Sequence, residues 1–139
     1  MEEEKQMAGA TAYISIDGDT YKVEGGKHLS ERAFWREGLD ESFIVGRLEY
    51  LLSNPQIAEA IVFGVRYGET FILEDLAMGF DIVISHHFDK VDSYPTLTAI
   101  TMRSELRFGN GQKVLSVYKD KVELAVWNLA LKRREVVEW

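Results

Sequence analysis

The chain has 139 residues, 46% of them hydrophobic and 28% charged, the balance of a single globular domain and not of a disordered segment. It contains no cysteine, which excludes a disulfide framework, a thiolate zinc site and a Cys nucleophile. The net charge of −7 is concentrated in residues 1–75, where 15 acids face 7 Lys and Arg, and a field of this sign opposes non-specific nucleic-acid binding.

No apolar run approaches the ~20 residues of a membrane span, and the opening MEEEKQ is acidic where a signal peptide is basic. The expectation is a soluble, cytoplasmic protein with no membrane contact. Residues 1–10 are polar and aperiodic and read as a frayed tail. Thr11 to Ile16 alternates, Asp17-Gly18-Asp19 follows, and Thr20 to Glu24 alternates again, the pattern of a short hairpin. A helix is expected from about Leu29 to Glu37, with Ser30 placed to cap it and Gly38 to stop it. Asp40 caps a second helix, on which Ile44, Leu48, Leu51 and Leu52 form one stripe, and Asn54-Pro55 ends it.

The middle of the chain reads as sheet. Ala60 to Arg66 is β-branched and aromatic, Tyr67-Gly68-Glu69 turns, and Thr70 to Leu73 returns. Phe80 to Ser85 is a further strand, as is Thr96 to Arg103 after Pro95. Gly109-Asn110-Gly111 marks a turn before a strand from Lys113 to Tyr118. The segment 120–136 fits two periods. Val122, Leu124 and Val126 alternate, but Asp120 with Glu123 resembles a capping box, and Lys132-Arg133-Arg134 suits the negative end of a helix. Ala125, Leu129, Ala130 and Leu131 tip the expectation to helix. The fold class expected is α+β over residues 11–139. An antiparallel sheet of about five or six strands would carry two short helices from the N-terminal half and a C-terminal helix.

For chemistry, the run His28-Leu29-Ser30-Glu31-Arg32-Ala33-Phe34-Trp35-Arg36-Glu37-Gly38 spaces His28, Arg32 and Arg36 four apart, along one stripe of a helix. An imidazole can move a proton near neutral pH, and two guanidiniums can clamp phosphate oxygens. The bland alternative is a solvated salt-bridging face, since Glu31 and Glu37 interleave with the arginines. This segment, with Gly38-Leu39-Asp40-Glu41 after it, resembles the opening of small proteins of the barnase–EndoU–RelE toxin superfamily, in its BrnT-like and related branches. The resemblance spans about residues 28–103. It implies a ribonuclease-toxin fold and metal-independent RNA cleavage, with His28 moving the proton and Arg32 and Arg36 holding the phosphate. Thr101 and Arg103 would complete the site from a late strand. Gly38 comes one residue later than in that pattern, and the acidic balance is unlike an RNA-cleaving toxin.

His86 and His87 are adjacent, so on a strand they point to opposite faces and cannot both hold one metal; they read as a surface pair. Glu74-Asp75 reads as a solvated acidic pair in a loop. No cofactor motif is present: Gly109-x-Gly111 lacks the later glycine of a phosphate loop. Three functions remain open. One is an RNA-cleaving domain or an inactive relative. A second is an acidic binder or inhibitor of a basic protein partner, in the manner of an immunity protein. A third is a homodimeric structural or small-ligand protein using aromatics near Trp127 and Trp139.

Overall fold

The computed structural model describes residues 10–26, 29, 40–103 and 108–139. Two strands open the chain, β1 (Thr11–Ile16) and β2 (Asp19–Gly25). Among the described residues, two helices follow, α1 (Glu41–Leu52) and α2 (Pro55–Gly64). Six strands complete it: β3 (Glu69–Asp75), β4 (Phe80–Asp89), β5 (Tyr94–Arg103), β6 (Lys113–Tyr118), β7 (Lys121–Asn128) and β8 (Arg133–Val137). All eight strands join one sheet in the order β1-β2-β5-β4-β3-β6-β7-β8. The pairs β1–β2, β3–β4, β4–β5, β6–β7 and β7–β8 are antiparallel, while β2 runs parallel to β5 and β3 parallel to β6. The sheet is therefore a hairpin and two three-stranded meanders stitched by two parallel seams.

The first hairpin closes at Asp17 and Gly18, both with positive φ, a two-residue turn whose twist matches that of its strands. Asp40 caps α1 by accepting the Phe43 N–H at 2.8 Å. Helix α1 packs on β1 and β2, and α2 on β7, so both helices cover one face. Ile44, Leu48, Ile57 and Ile61 meet Phe71, Leu73, Ile82, Ile84, Leu97 and Leu115 there, all at 1% exposure or less. Each such side chain contributes about 1.5–3 kcal/mol on burial. In β5 the pairing with β4 slips between Val83 and Ile84, leaving Ile100 as an extra residue. That bulge lets Ala99 and Met102 both reach the core although they are three apart.

Three expectations are corrected. The expected α+β class does not hold: the described residues are mostly strand, with eight strands in one mixed sheet and two short helices, where an antiparallel sheet of five or six was expected. The C-terminal helix is absent: segment 120–136 forms β7 and β8. Leu124 fills the helix-side core at 1% exposure while Ala125, on the opposite face, is buried equally. Burial on both faces selects a strand, and Lys119-Asp120 becomes a tight turn with Lys119 at φ 56° where a cap was expected. The apolar run at Ala60 lies in α2, not in a strand. Asn54 accepts the Gln56 N–H at 2.9 Å, Pro55 supplies the first turn, and Ile57, Ala58, Ala60 and Ile61 form the buried stripe. The expected first helix lies outside the described residues apart from the buried Leu29. Ala10, assigned to the tail, packs against the core.

Candidate functional site

A cavity of about 420 Å³ opens on the helix side of the sheet, where the start of β2, the end of α2 and the middle of β4 meet. Its floor is built from Tyr21 and His86, 3% and 2% exposed. His86 Nδ1 lies 3.0 Å from the Val65 carbonyl oxygen, which can only accept, so Nδ1 carries the proton. In the neutral ring Nε2 is then the acceptor, and it receives the Tyr21 hydroxyl proton at 3.1 Å. The two rings stack at 5.8 Å. Tyr67 leans on His86 at 4.8 Å and on Phe88 at 6.3 Å, forming one wall; exposed Phe63 forms another. Asp19 and Arg66, both exposed, supply charge to the lining.

The electrostatics of the floor are those of a neutral pair. Burial lowers the pKa of His86, against the opposing bond to Val65. Burial, and then the nearby Tyr67 hydroxyl, raise the pKa of Tyr21 above the ordinary phenol value. Both groups stay uncharged near neutral pH. The two hydrogen bonds orient the imidazole, and burial favours the uncharged form of each group, so the pair forms a fixed, neutral floor.

A larger recess of about 500 Å³ beside α1 is lined by Phe43, Gly46, Arg47, Tyr50 and Met78. Its one charged group is committed: Arg47 donates to the fully buried Asp75 through Nε at 2.7 Å and an Nη at 3.0 Å.

The sheet face away from α1 and α2 carries two polar networks. In the first, Lys22 donates to Asp89 at 2.9 Å and Asp92 at 2.6 Å, with Glu24 at 3.7 Å. These bonds, Asp89 foremost, raise the lysine pKa. Thr98 donates to Glu24, and therefore accepts from His87 Nε2 at 3.0 Å. In the second, Arg134 grips both Glu74 oxygens at 2.7 Å, and Ser116 donates to the same carboxylate. Arg134 above all holds the Glu74 pKa below its usual range. Asp81 stands opposite Glu74 across the β3–β4 pair; burial first, then the Glu74 charge, push it up to about 6.

The predicted site residues divide between described and undescribed parts of the chain. His28, Arg32 and Arg36 lie outside the described residues. Thr101 sits on the face away from α1 and α2, opposite Val83, with its Oγ1 buried and unbonded among the described residues. Arg103 pairs with Asp81 at the end of β5, and its side chain lies outside the described residues. Thr101 does not line the Tyr21–His86 cavity. His86 and His87 face opposite sides, but His86 is a core residue and not a surface one. Glu74 and Asp75, read as a loop pair, are strand residues, each clamped by its own arginine on its own face. Trp127 is half-buried edge-on against Phe108 at 5.4 Å; Trp139 is 40% exposed. Among the described residues, no three His, Cys, Asp or Glu gather as metal ligands, and no helix is long and apolar enough to cross a membrane.

The sequence missed the cavity. Tyr21 and His86 are 65 positions apart, and each carries only the period-2 pattern of a strand. No protein-family model, curated protein or solved structure matches the chain.

Proposed function

We propose that this chain is a non-enzymatic binding domain that takes a small ligand in the cavity floored by Tyr21 and His86. Of the three functions open at the sequence level, the small-ligand one has the best geometric support. The observation that carries it is the combination of a cavity within the usual ~300–1,000 Å³ of small-molecule sites with a preorganised neutral floor and aromatic walls. The cleavage reading depends on His28, Arg32 and Arg36 and draws no support from this cavity.

The test is a titration of the full chain with indole, a neutral planar probe, followed by backbone amide shifts. Saturable shifts clustered at Asp19, Phe63 to Tyr67 and His86, lost in Tyr67→Ala, are expected. Tyr67 is 55% exposed, so its truncation leaves the core intact. Absence of saturable shifts, or shifts unchanged in Tyr67→Ala, refutes the proposal.

A further inference from the structure

We propose that the ligand of the Tyr21–His86 cavity is the zwitterion of a free aromatic α-amino acid. Its ring would enter between Phe63 and Tyr67, its carboxylate would meet Arg66, and its ammonium would meet Asp19. This rests on the small-ligand reading above and adds the chemical class.

The Tyr21 hydroxyl proton and both His86 nitrogens are already bonded, so the floor has no free donor for an anion. Setting a charged group against it would leave that charge desolvated and unpaired, at a cost of several kcal/mol. The deep part of the ligand must be neutral. A planar ring suits it: the surrounding groups are themselves ring faces and edges, which attract another ring in offset or tilted contact at ~4.5–7 Å. The Tyr67–His86 and Tyr21–His86 contacts, at 4.8 and 5.8 Å, already have that geometry.

Charge belongs at the exposed part of the lining, where one carboxylate and one guanidinium stand. Arg66 donates its backbone N–H to Glu69 at 2.8 Å. Glu69 also holds Lys113 at 2.8 Å, and that bond first, with the Arg66 guanidinium charge helping, lowers the pKa of the carboxylate. Arg66 offers the planar fork that matches a carboxylate. Asp19 offers an acceptor for an ammonium. One anion and one cation on the lining of an aromatic cavity complement one ammonium and one carboxylate on a single carbon. A nucleotide would set a net negative charge beside the Asp19 carboxylate, and a simple aromatic acid would leave Asp19 facing no cation.

The experiment compares L-tryptophan with L-tryptophan amide, N-acetyl-L-tryptophan and indole by calorimetry and amide shifts. The protein is the full chain, intact and as Arg66→Gln and Asp19→Asn. L-tryptophan should bind about 10-fold more tightly than either blocked form, the scale of one charge-assisted contact. Arg66→Gln should erase the advantage over the amide, and Asp19→Asn the advantage over the N-acetyl form. Both residues are exposed, so the fold tolerates both changes. If indole binds and the zwitterion gains nothing over it, the amino-acid assignment fails while the small-ligand reading stands. If neither binds, both fail. Equal loss of all four ligands in either variant also overturns the assignment, because it would show distortion of the cavity and not loss of one charge contact.

Discussion

Replacing Asp81 by Asn removes one charge and almost no volume from a position 9% exposed. The carboxyl ionises near the ordinary aspartate value of 3.8 when the chain is unfolded, and at about 6 in the fold, where burial and the facing Glu74 oppose its charge and Arg134 only partly offsets them. A gap of about two units at ~1.36 kcal/mol each sets an upper limit of about 3 kcal/mol. Residual hydration of the carboxylate brings the expected effect to roughly 1–2 kcal/mol. The sign follows from proton linkage. Because the folded value is raised, the fold binds this proton more tightly than the unfolded chain does. That stabilisation is complete below about pH 4 and is lost as pH rises through about 6. Asp81→Asn has no proton to lose. It should be about 1–2 kcal/mol more stable than the parent at about pH 7.5, and no more stable at about pH 4. Urea unfolding followed by tryptophan fluorescence across that range reads the difference directly. A difference independent of pH, or one that favours Asn more in acid, would refute the reasoning.

Two further substitutions test the packing. Arg47→Met strands the Asp75 carboxylate, whose side chain is 0% exposed, and should cost about 3–5 kcal/mol in a denaturant melt. The double variant Arg47→Met with Asp75→Asn should recover part of it, and a cost below about 1 kcal/mol for the single change would remove the claim that the pair is buried. Gly64→Ala places a methyl into the Leu124 side chain where α2 meets β7, and should lower stability by about 1–3 kcal/mol, a loss relieved when Leu124 is also trimmed to Ala. Additive losses in that double variant would show that the two residues do not touch.

Local pattern made several elements legible. Asp17-Gly18 between alternating runs specified the first hairpin, because both turn residues adopt positive φ there. Asp40 followed by the Ile44, Leu48, Leu51 stripe specified α1, and the period of two placed parts of β3 to β6. Adjacent histidines had to face opposite sides. Elsewhere the same apolar run satisfied two periods. The run at Ala60 became helix because Asn54 and Pro55 start one, while Leu124 and Ala125 became strand because both faces of the sheet needed filling at that place.

Composition and short-range pattern thus determined the hairpin turn, the cap of α1, and which residues of these strands share a face, since each depends on groups within a few positions of one another. The order of the strands was decided only in three dimensions. Lys22 to Gly25 lie parallel against Thr96 to Ala99, and Phe71 to Asp75 against Lys113 to Val117, because those seams close one sheet over the two helices. The cavity follows from the same closure: Tyr21 and His86 carry no mark of each other until β5 brings β2 and β4 into one sheet and buries them together.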